Sequence, residues 1–121
     1  YISDPHLQFM SANSLGKDDV VVAISQSGTT AALIESIKIV RKNGAKVIGI
    51  MPGDTPLANI CDFPLTINVG SNNRISKPVT SRIAYTAVID VLTMGVAQLK
   101  PEAQDHLYNI ADSQRSLKVD N

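Results

Sequence analysis

A cluster of hydroxyl side chains early in the chain is the segment whose residue types could do chemistry. The sequence SQSGTT follows directly on the apolar run VVVAI at 20–24. Each Ser or Thr supplies a neutral O–H donor, the Gln supplies an amide, and the glycine allows close backbone approach or a positive φ. Together with a helix start, such donors suit a phosphate. We therefore predict a phosphate-binding loop made of Ser25, Gln26, Ser27, Gly28, Thr29 and Thr30.

The same hydroxyls have a plainer explanation as a helix cap. Ser27 or Thr29 could serve as the N-cap of a following helix, a contact that contributes about 1 kcal/mol. A cap uses one hydroxyl, whereas the loop carries four. The excess favours a bound anion, and both interpretations stay open at this point.

Several other ligand classes are disfavoured. Neither G-x-x-x-x-G-K-[ST] nor G-x-G-x-x-G occurs in the sequence, so a nucleotide triphosphate or a dinucleotide is not indicated. The His, Cys, Asp and Glu residues show no spacing typical of metal ligands. We predict no metal and no cofactor.

A catalytic base is not evident near the hydroxyl loop. A sugar-phosphate isomerase needs a base within reach of a carbon-bound proton. Glu35 lies more than a helical turn beyond Thr30, and His6 and His106 stand near the two ends of the chain. We therefore predict no catalytic residue. The alternative is an isomerase in which a neighbouring subunit lends one of the histidines.

A second polar cluster is KPVTSRIAY, which precedes a long apolar stretch. Thr80 or Ser81 can cap a helix there, and Arg82 in its first turn opposes the helix dipole. An anionic ligand facing Arg82 would relieve that conflict. We treat Ser81 and Arg82 as candidate sugar-binding residues, and we interpret Arg74 and Lys77 as solvated.

Alternating strands and helices must position these polar segments. The continuous β-branched run at 20–24 is typical of a central strand covered on both faces. Further strands are predicted at 46–51 and 63–69. Helices are predicted after Asp4-Pro5, at 29–43, after Thr55-Pro56, at 79–99 and at 102–117.

This alternation predicts an α/β fold with a parallel sheet, in a three-layer α-β-α sandwich. Three strands make a thin sheet for that architecture. We therefore expect a first strand and helix before residue 1, which makes the chain an N-terminally truncated domain.

The composition of the chain disfavours several classes of function. The 121 residues are 44% apolar, and eleven basic side chains balance eleven acidic ones. A balanced charge gives no electrostatic footprint for nucleic acid or an anionic membrane. The start YISDPHLQFM lacks the pattern of a signal peptide. We predict a cytoplasmic domain without a membrane partner, and a single cysteine, Cys61, that acts as a small buried hydrophobe.

The apolar strand, SQSGTT and the following helix together resemble a SIS domain, the sugar isomerase fold that binds phosphosugars. The shared S-x-S-G-x-T core is met by Ser25, Ser27, Gly28 and Thr30, and in that family these hydroxyls hold the phosphate of the sugar. The stretches DPHLQFMSA, GDTPLA and VTSRIAYTAVIDVLTMG resemble the effector domain of the RpiR family of bacterial transcription regulators, and within it the HexR-type repressors of hexose catabolism.

The resemblance implies a non-enzymatic effector domain that senses a phosphosugar, with 2-keto-3-deoxy-6-phosphogluconate as the ligand of the HexR type. It also implies that DNA is bound only by a helix-turn-helix domain, which is absent here and expected upstream. The family's first strand and its Gly/Ser loop are absent as well. The apolar surface of the last two predicted helices favours a homodimer or higher homo-oligomer.

Overall fold

The computed structural model of the chain describes residues 2–69 and 77–100, with the side chains of 77–79 left out of the description. Its elements are α1 (Pro5–Ser14), β1 (Val20–Ile24), α2 (Ala31–Lys42), β2 (Lys46–Met51), α3 (Pro56–Ile60), β3 (Phe63–Thr66) and α4 (Lys77–Leu99). The predicted helix at 102–117 lies outside the described residues. The chain divides into two compact units, residues 1–83 and 84–121, and the first contains the sheet and the hydroxyl loop.

The helix boundaries follow the residues that can cap them. Asp4 is the N-cap of α1, and its Oδ1 accepts a hydrogen bond of 3.0 Å from the Leu7 amide. At α3, the Thr55 Oγ1 accepts one of 3.3 Å from the Ala58 amide. Helix α2 ends at Lys42 with Asn43 as its C-cap, and the next residue, Gly44, has a φ of 91° that few other residues tolerate. The predicted starts of α1 and α3 and the predicted end of α2 are thus confirmed.

The sheet is parallel throughout, with the strand order β1-β2-β3. This confirms the predicted α/β class. The prediction that 20–24 is a central strand covered on both faces is wrong within the described sheet, because β2 holds the central place and β1 an edge. Val20 is 61% exposed and Val22 is 48% exposed. A β-branched run indicates an apolar strand, but it does not indicate which elements cover it.

The core lies between one face of the sheet and helices α1 to α3. Side chains alternate between the two faces of a strand, so Ala23 of β1 and Val47 and Met51 of β2 point the same way. They form one buried cluster with residues of all three helices: Ala12, Ile37, Val40 and Leu57. This packing fixes where α2 begins relative to the end of β1.

Asp62 joins the elements at the opposite end of the sheet from the hydroxyl loop. Its Oδ2 accepts a hydrogen bond of 3.0 Å from the Val47 amide. Its Oδ1 lies 3.6 Å from Nη2 of Arg41, at the end of α2, and 3.7 Å from Nζ of Lys46. The Val47 amide, helped by the two cations, holds the pKa of Asp62 below its ordinary value of 3.8.

Because its pKa is lowered in the folded state, the Asp62 carboxylate contributes stability that is complete well above pH 3.8 and is lost as the pH falls through the lower folded value. We expect Asp62→Asn to lower the free energy of unfolding at neutral pH and to weaken its dependence on pH in the acid range. Urea unfolding at a series of pH values measures both. Asp90→Asn, which removes a carboxylate from the exposed surface of α4, is the matched control for the change of charge. An unaltered acid slope in the Asp62 variant would contradict this assignment.

Helix α4 contains the segment Thr80–Leu99, which is long and apolar enough to cross a membrane by length and composition, with a mean hydropathy of 1.2. One such helix among the described residues is weak evidence, because a core helix of a soluble protein meets the same criterion.

Candidate phosphate-binding site

The hydroxyl loop, residues 25–30, connects the carboxyl end of β1 to the start of α2. The Ser25 amide donates a 3.0 Å hydrogen bond to the Ile50 carbonyl, which continues the β1–β2 ladder into the loop. Thr30 is the N-cap of α2. The loop therefore lies at the edge of a parallel sheet where open α/β folds bind ligands.

Internal hydrogen bonds give the hydroxyl loop its shape. The buried Ser25 hydroxyl accepts a hydrogen bond of 3.0 Å from the Gly28 amide. The exposed Ser27 Oγ accepts from the Thr29 hydroxyl at 3.0 Å and from the Thr29 amide at 3.3 Å. Two serines thus act as acceptors for loop groups. The Ser27 hydroxyl accepts in both bonds, so its O–H can still donate a hydrogen bond to a ligand.

Helix α2 begins without a side-chain cap. Its N-cap is Thr30, and the Thr30 side chain makes no capping hydrogen bond. The prediction that Ser27 or Thr29 is the N-cap is therefore wrong in position. The first turn of α2 also contains no acidic residue. Uncapped amides at a helix start amount to about half a positive charge, so this end of α2 favours an anion.

Gly28 holds the loop against the connection between β2 and α3. Its φ is 64°, and a Cβ at this position would lie 2.5 Å from the Cβ of Thr55. Its carbonyl accepts a 3.1 Å hydrogen bond from the Leu57 amide. The Thr55 hydroxyl also donates to the Pro52 carbonyl at 3.1 Å, which fixes the side chain that Gly28 contacts. Sequence reasoning assigned Thr55 only a capping role and missed this contact with the loop.

Gly28→Ala should destabilise the protein and displace the hydroxyl loop, because the new methyl group meets Thr55 and the backbone remains at positive φ. We expect a loss of about 1–3 kcal/mol in the free energy of unfolding. Chemical denaturation measures this loss. Gly16→Ala is the control, since a Cβ there meets nothing within 4 Å. Equal effects of the two substitutions would contradict the proposed contact.

A cavity of about 500 Å³ opens beside the hydroxyl loop. Four predicted residues line it: Ser25, Gln26, Ser27 and Thr30. Its other walls come from the apolar side chains Ile24 and Leu33 and from the first turns of α1, including Gln8. The sequence did not place α1 near the loop, because only the packing of α1 on α2 brings the two segments together. Gly28 and Thr29 shape the loop and do not line this cavity.

The remaining candidate residues lie elsewhere or are paired. Ser81 is buried in the early part of α4 and Arg82 is exposed there; neither lines this cavity as the described residues form it, and their assignment stays a prediction. Glu35 is exposed and pairs with Lys38, with Nζ 2.7 Å from Oε1. His6 is exposed on α1 and does not line the cavity, and His106 lies outside the described residues.

The described residues meet neither the requirements of a metal site nor those of a reactive thiol. Within 2–69 and 77–100, no group of three or more His, Cys, Asp or Glu side chains is placed to hold a metal ion. Burial raises the pKa of the Cys61 thiol above its ordinary value of 9.0, which keeps it protonated at neutral pH. Cys61 is partly rather than fully buried.

A parallel sheet with a hydroxyl-rich strand-to-helix loop and a helix start without a side-chain cap describes an α/β domain, and open α/β sheets bind ligands at this edge. The sequence model of the SIS domain matches residues 2–95 of the chain. The chain belongs to the SIS domain family, as its S-x-S-G-x-T motif predicted.

Three known proteins illustrate the similarity. The chain is 34% identical to the HTH-type transcriptional regulator HexR of Escherichia coli strain K12, over 99% of this chain and 42% of that protein. It superposes on the Vibrio vulnificus NanR protein complexed with ManNAc-6P with a TM-score of 0.86 at 22% identity, covering 98% of this chain and 46% of NanR. A candidate phosphosugar isomerase from Salmonella typhimurium LT2 gives a TM-score of 0.51 at 27% identity, covering 64% of this chain and 24% of that one. The chain thus spans less than half the length of each.

Proposed function

We propose that the chain is the effector-sensing domain of a bacterial transcription regulator of sugar metabolism, and that it binds a phosphorylated sugar or sugar acid at the hydroxyl loop. One observation carries the proposal: hydroxyl groups of the loop and the uncapped start of α2 meet at one cavity. The similarity to HexR supports the regulatory role.

The phosphate takes the end of the cavity formed by Ser25, Gln26, Ser27 and Thr30. Neutral hydroxyl donors and helix-start amides stabilise a dianion without a buried lysine, because the helix dipole supplies the positive potential. The remaining volume receives the sugar. A cavity of about 500 Å³ lies within the range of roughly 300–1,000 Å³ that small-molecule sites occupy.

The regulatory step requires more chain than the one described. A helix-turn-helix domain upstream binds DNA, and the SIS domain forms a homodimer or higher homo-oligomer in the cytoplasm. Ligand binding shifts the arrangement of the subunits only if the ligand binds one arrangement more tightly than another. The resemblance to the HexR type makes 2-keto-3-deoxy-6-phosphogluconate the first effector to test.

A phosphosugar aldose–ketose isomerase is the second candidate function, supported by the structural likeness to the Salmonella protein. A fold does not determine the reaction, so a direct test is needed. Incubating the intact protein with ribose, arabinose and fructose phosphates in deuterated water discriminates the two functions. Exchange of the C1 or C2 proton would establish the isomerase and contradict a purely sensing role.

Ser27→Ala should weaken phosphosugar binding far more than it weakens folding. The exposed Ser27 hydroxyl contributes a hydrogen bond to a charged phosphate, so its loss lowers affinity by about tenfold or more. Within the described residues its hydroxyl is hydrogen-bonded to Thr29, and we expect the free energy of unfolding to change by less than about 1 kcal/mol. Calorimetric titration of the intact protein with glucose 6-phosphate and 2-keto-3-deoxy-6-phosphogluconate measures the affinity.

Ser14→Ala is the matched control for this experiment. Ser14 is an exposed serine at the end of α1, its hydroxyl donates to the Ser11 carbonyl, and it does not line the cavity. Its substitution should leave the affinity unchanged. Unaltered phosphosugar affinity in the Ser27 variant would show that the phosphate binds elsewhere.

A further inference from the structure

Helix α1 forms part of the wall of the cavity beside the hydroxyl loop. Gln8 is half-buried in this helix and lines the same cavity as Ser27 and Thr30. The α1 start is fixed by the Asp4 cap, and the Asn43 side-chain amide ties α1 to the end of α2 by donating to the Ala12 carbonyl at 3.2 Å. The position of Gln8 relative to the loop is therefore set by helix packing rather than by a flexible segment.

A hydrogen bond to the backbone also fixes the orientation of the Gln8 side chain. Its Nε2 donates a 2.9 Å hydrogen bond to the Ile2 carbonyl. A glutamine amide has a second N–H donor and a carbonyl oxygen in addition to that bond. These two groups match a sugar hydroxyl, which both donates and accepts. They carry no charge, so they add no ionic attraction for the phosphate.

We propose that Gln8 is a specificity-determining residue that contacts the sugar end of the bound phosphosugar. The inference rests on the proposed function, because it requires the phosphate to occupy the hydroxyl loop. With the phosphate held there, the sugar extends into the rest of the cavity, which Ile24 and Leu33 also line, and reaches Gln8 on α1. Gln8 then distinguishes ligands by the groups at that end.

The test compares three probes on the intact protein: inorganic phosphate, glucose 6-phosphate with an uncharged sugar end, and 6-phosphogluconate with a carboxylate. Gln8→Glu places a negative charge on α1. This charge repels the phosphate group of both phosphosugars equally, so that effect cancels in the ratio of their two affinities. We expect this variant to weaken 6-phosphogluconate about tenfold more than glucose 6-phosphate. Gln8→Leu should weaken both phosphosugars by about threefold to tenfold, since it removes one hydrogen-bonding group, and should leave the affinity for inorganic phosphate unchanged.

Asn13→Asp is the matched control, because it introduces the same charge change on α1 at an exposed residue that does not line the cavity. It should leave the ratio between the two phosphosugars unchanged. Thermal unfolding of each variant verifies that it is folded at the temperature of the titration.

The outcomes separate this inference from the proposed function. If the Gln8 variants change the affinities for all three probes equally, or leave them unchanged while Ser27→Ala abolishes binding, Gln8 does not contact the sugar and the phosphate site stands. If Ser27→Ala has no effect, or the wild-type protein binds none of the probes, the phosphate site fails and the role of Gln8 fails with it.

Discussion

The amide groups at the start of α2 need hydrogen-bond acceptors, and this need is the physical constraint on which the rest of this part of the fold depends. A helix start leaves N–H groups that need acceptors, and most helices meet that need with a side-chain cap. Here the side chain of the N-cap Thr30 makes no such bond. The oxygens of Ser25 and Ser27 instead accept hydrogen bonds from other groups of the loop. The positive end of the helix dipole is thereby left facing a cavity. A bound phosphate would satisfy it.

Keeping that helix start in place requires support from outside the loop. Gly28 packs on Thr55 and accepts a hydrogen bond from Leu57, so the connection after β2 holds the loop after β1. Asp62 ties the far end of α2 to β2 through Arg41 and the Val47 amide. The two ends of α2 are thus anchored by different elements. The shape of the loop is held by hydrogen bonds within the chain, from the Gly28 amide to Ser25, from Thr29 to Ser27 and from the Leu57 amide to the Gly28 carbonyl.

Much of this arrangement could be predicted from the sequence, because it depends on local patterns. The β-branched and apolar runs bounded by turn residues gave the limits of β1 and β2, and the Asp-Pro and Thr-Pro pairs gave the starts of α1 and α3. The predicted end of the third strand at residue 69 is wrong: β3 ends at Thr66, because the apolar pattern continues past the last residue that pairs with β2. The motif itself identified the hydroxyl loop and the SIS domain family.

The features that sequence reasoning missed all depend on contacts between segments that are distant along the chain. The partnership of Gly28 with Thr55, the approach of Gln8 to the loop and the edge position of β1 arise from tertiary packing. No periodicity in one segment can indicate them. Even the position of the N-cap differed, because hydroxyl residues at 27, 29 and 30 are equally good candidates by type and only the backbone conformation selects among them.

We propose that the hydroxyl loop and the start of α2 bind the phosphate of a phosphosugar. Amide chemical shifts of the ¹⁵N-labelled intact protein, followed during titration with glucose 6-phosphate and 2-keto-3-deoxy-6-phosphogluconate, test it most directly. We expect saturable shifts that are largest for the amides of residues 26–33, since these groups donate to the phosphate or adjoin it. Shifts centred elsewhere in the described residues, with the amides of 26–33 unmoved by either ligand, would contradict it.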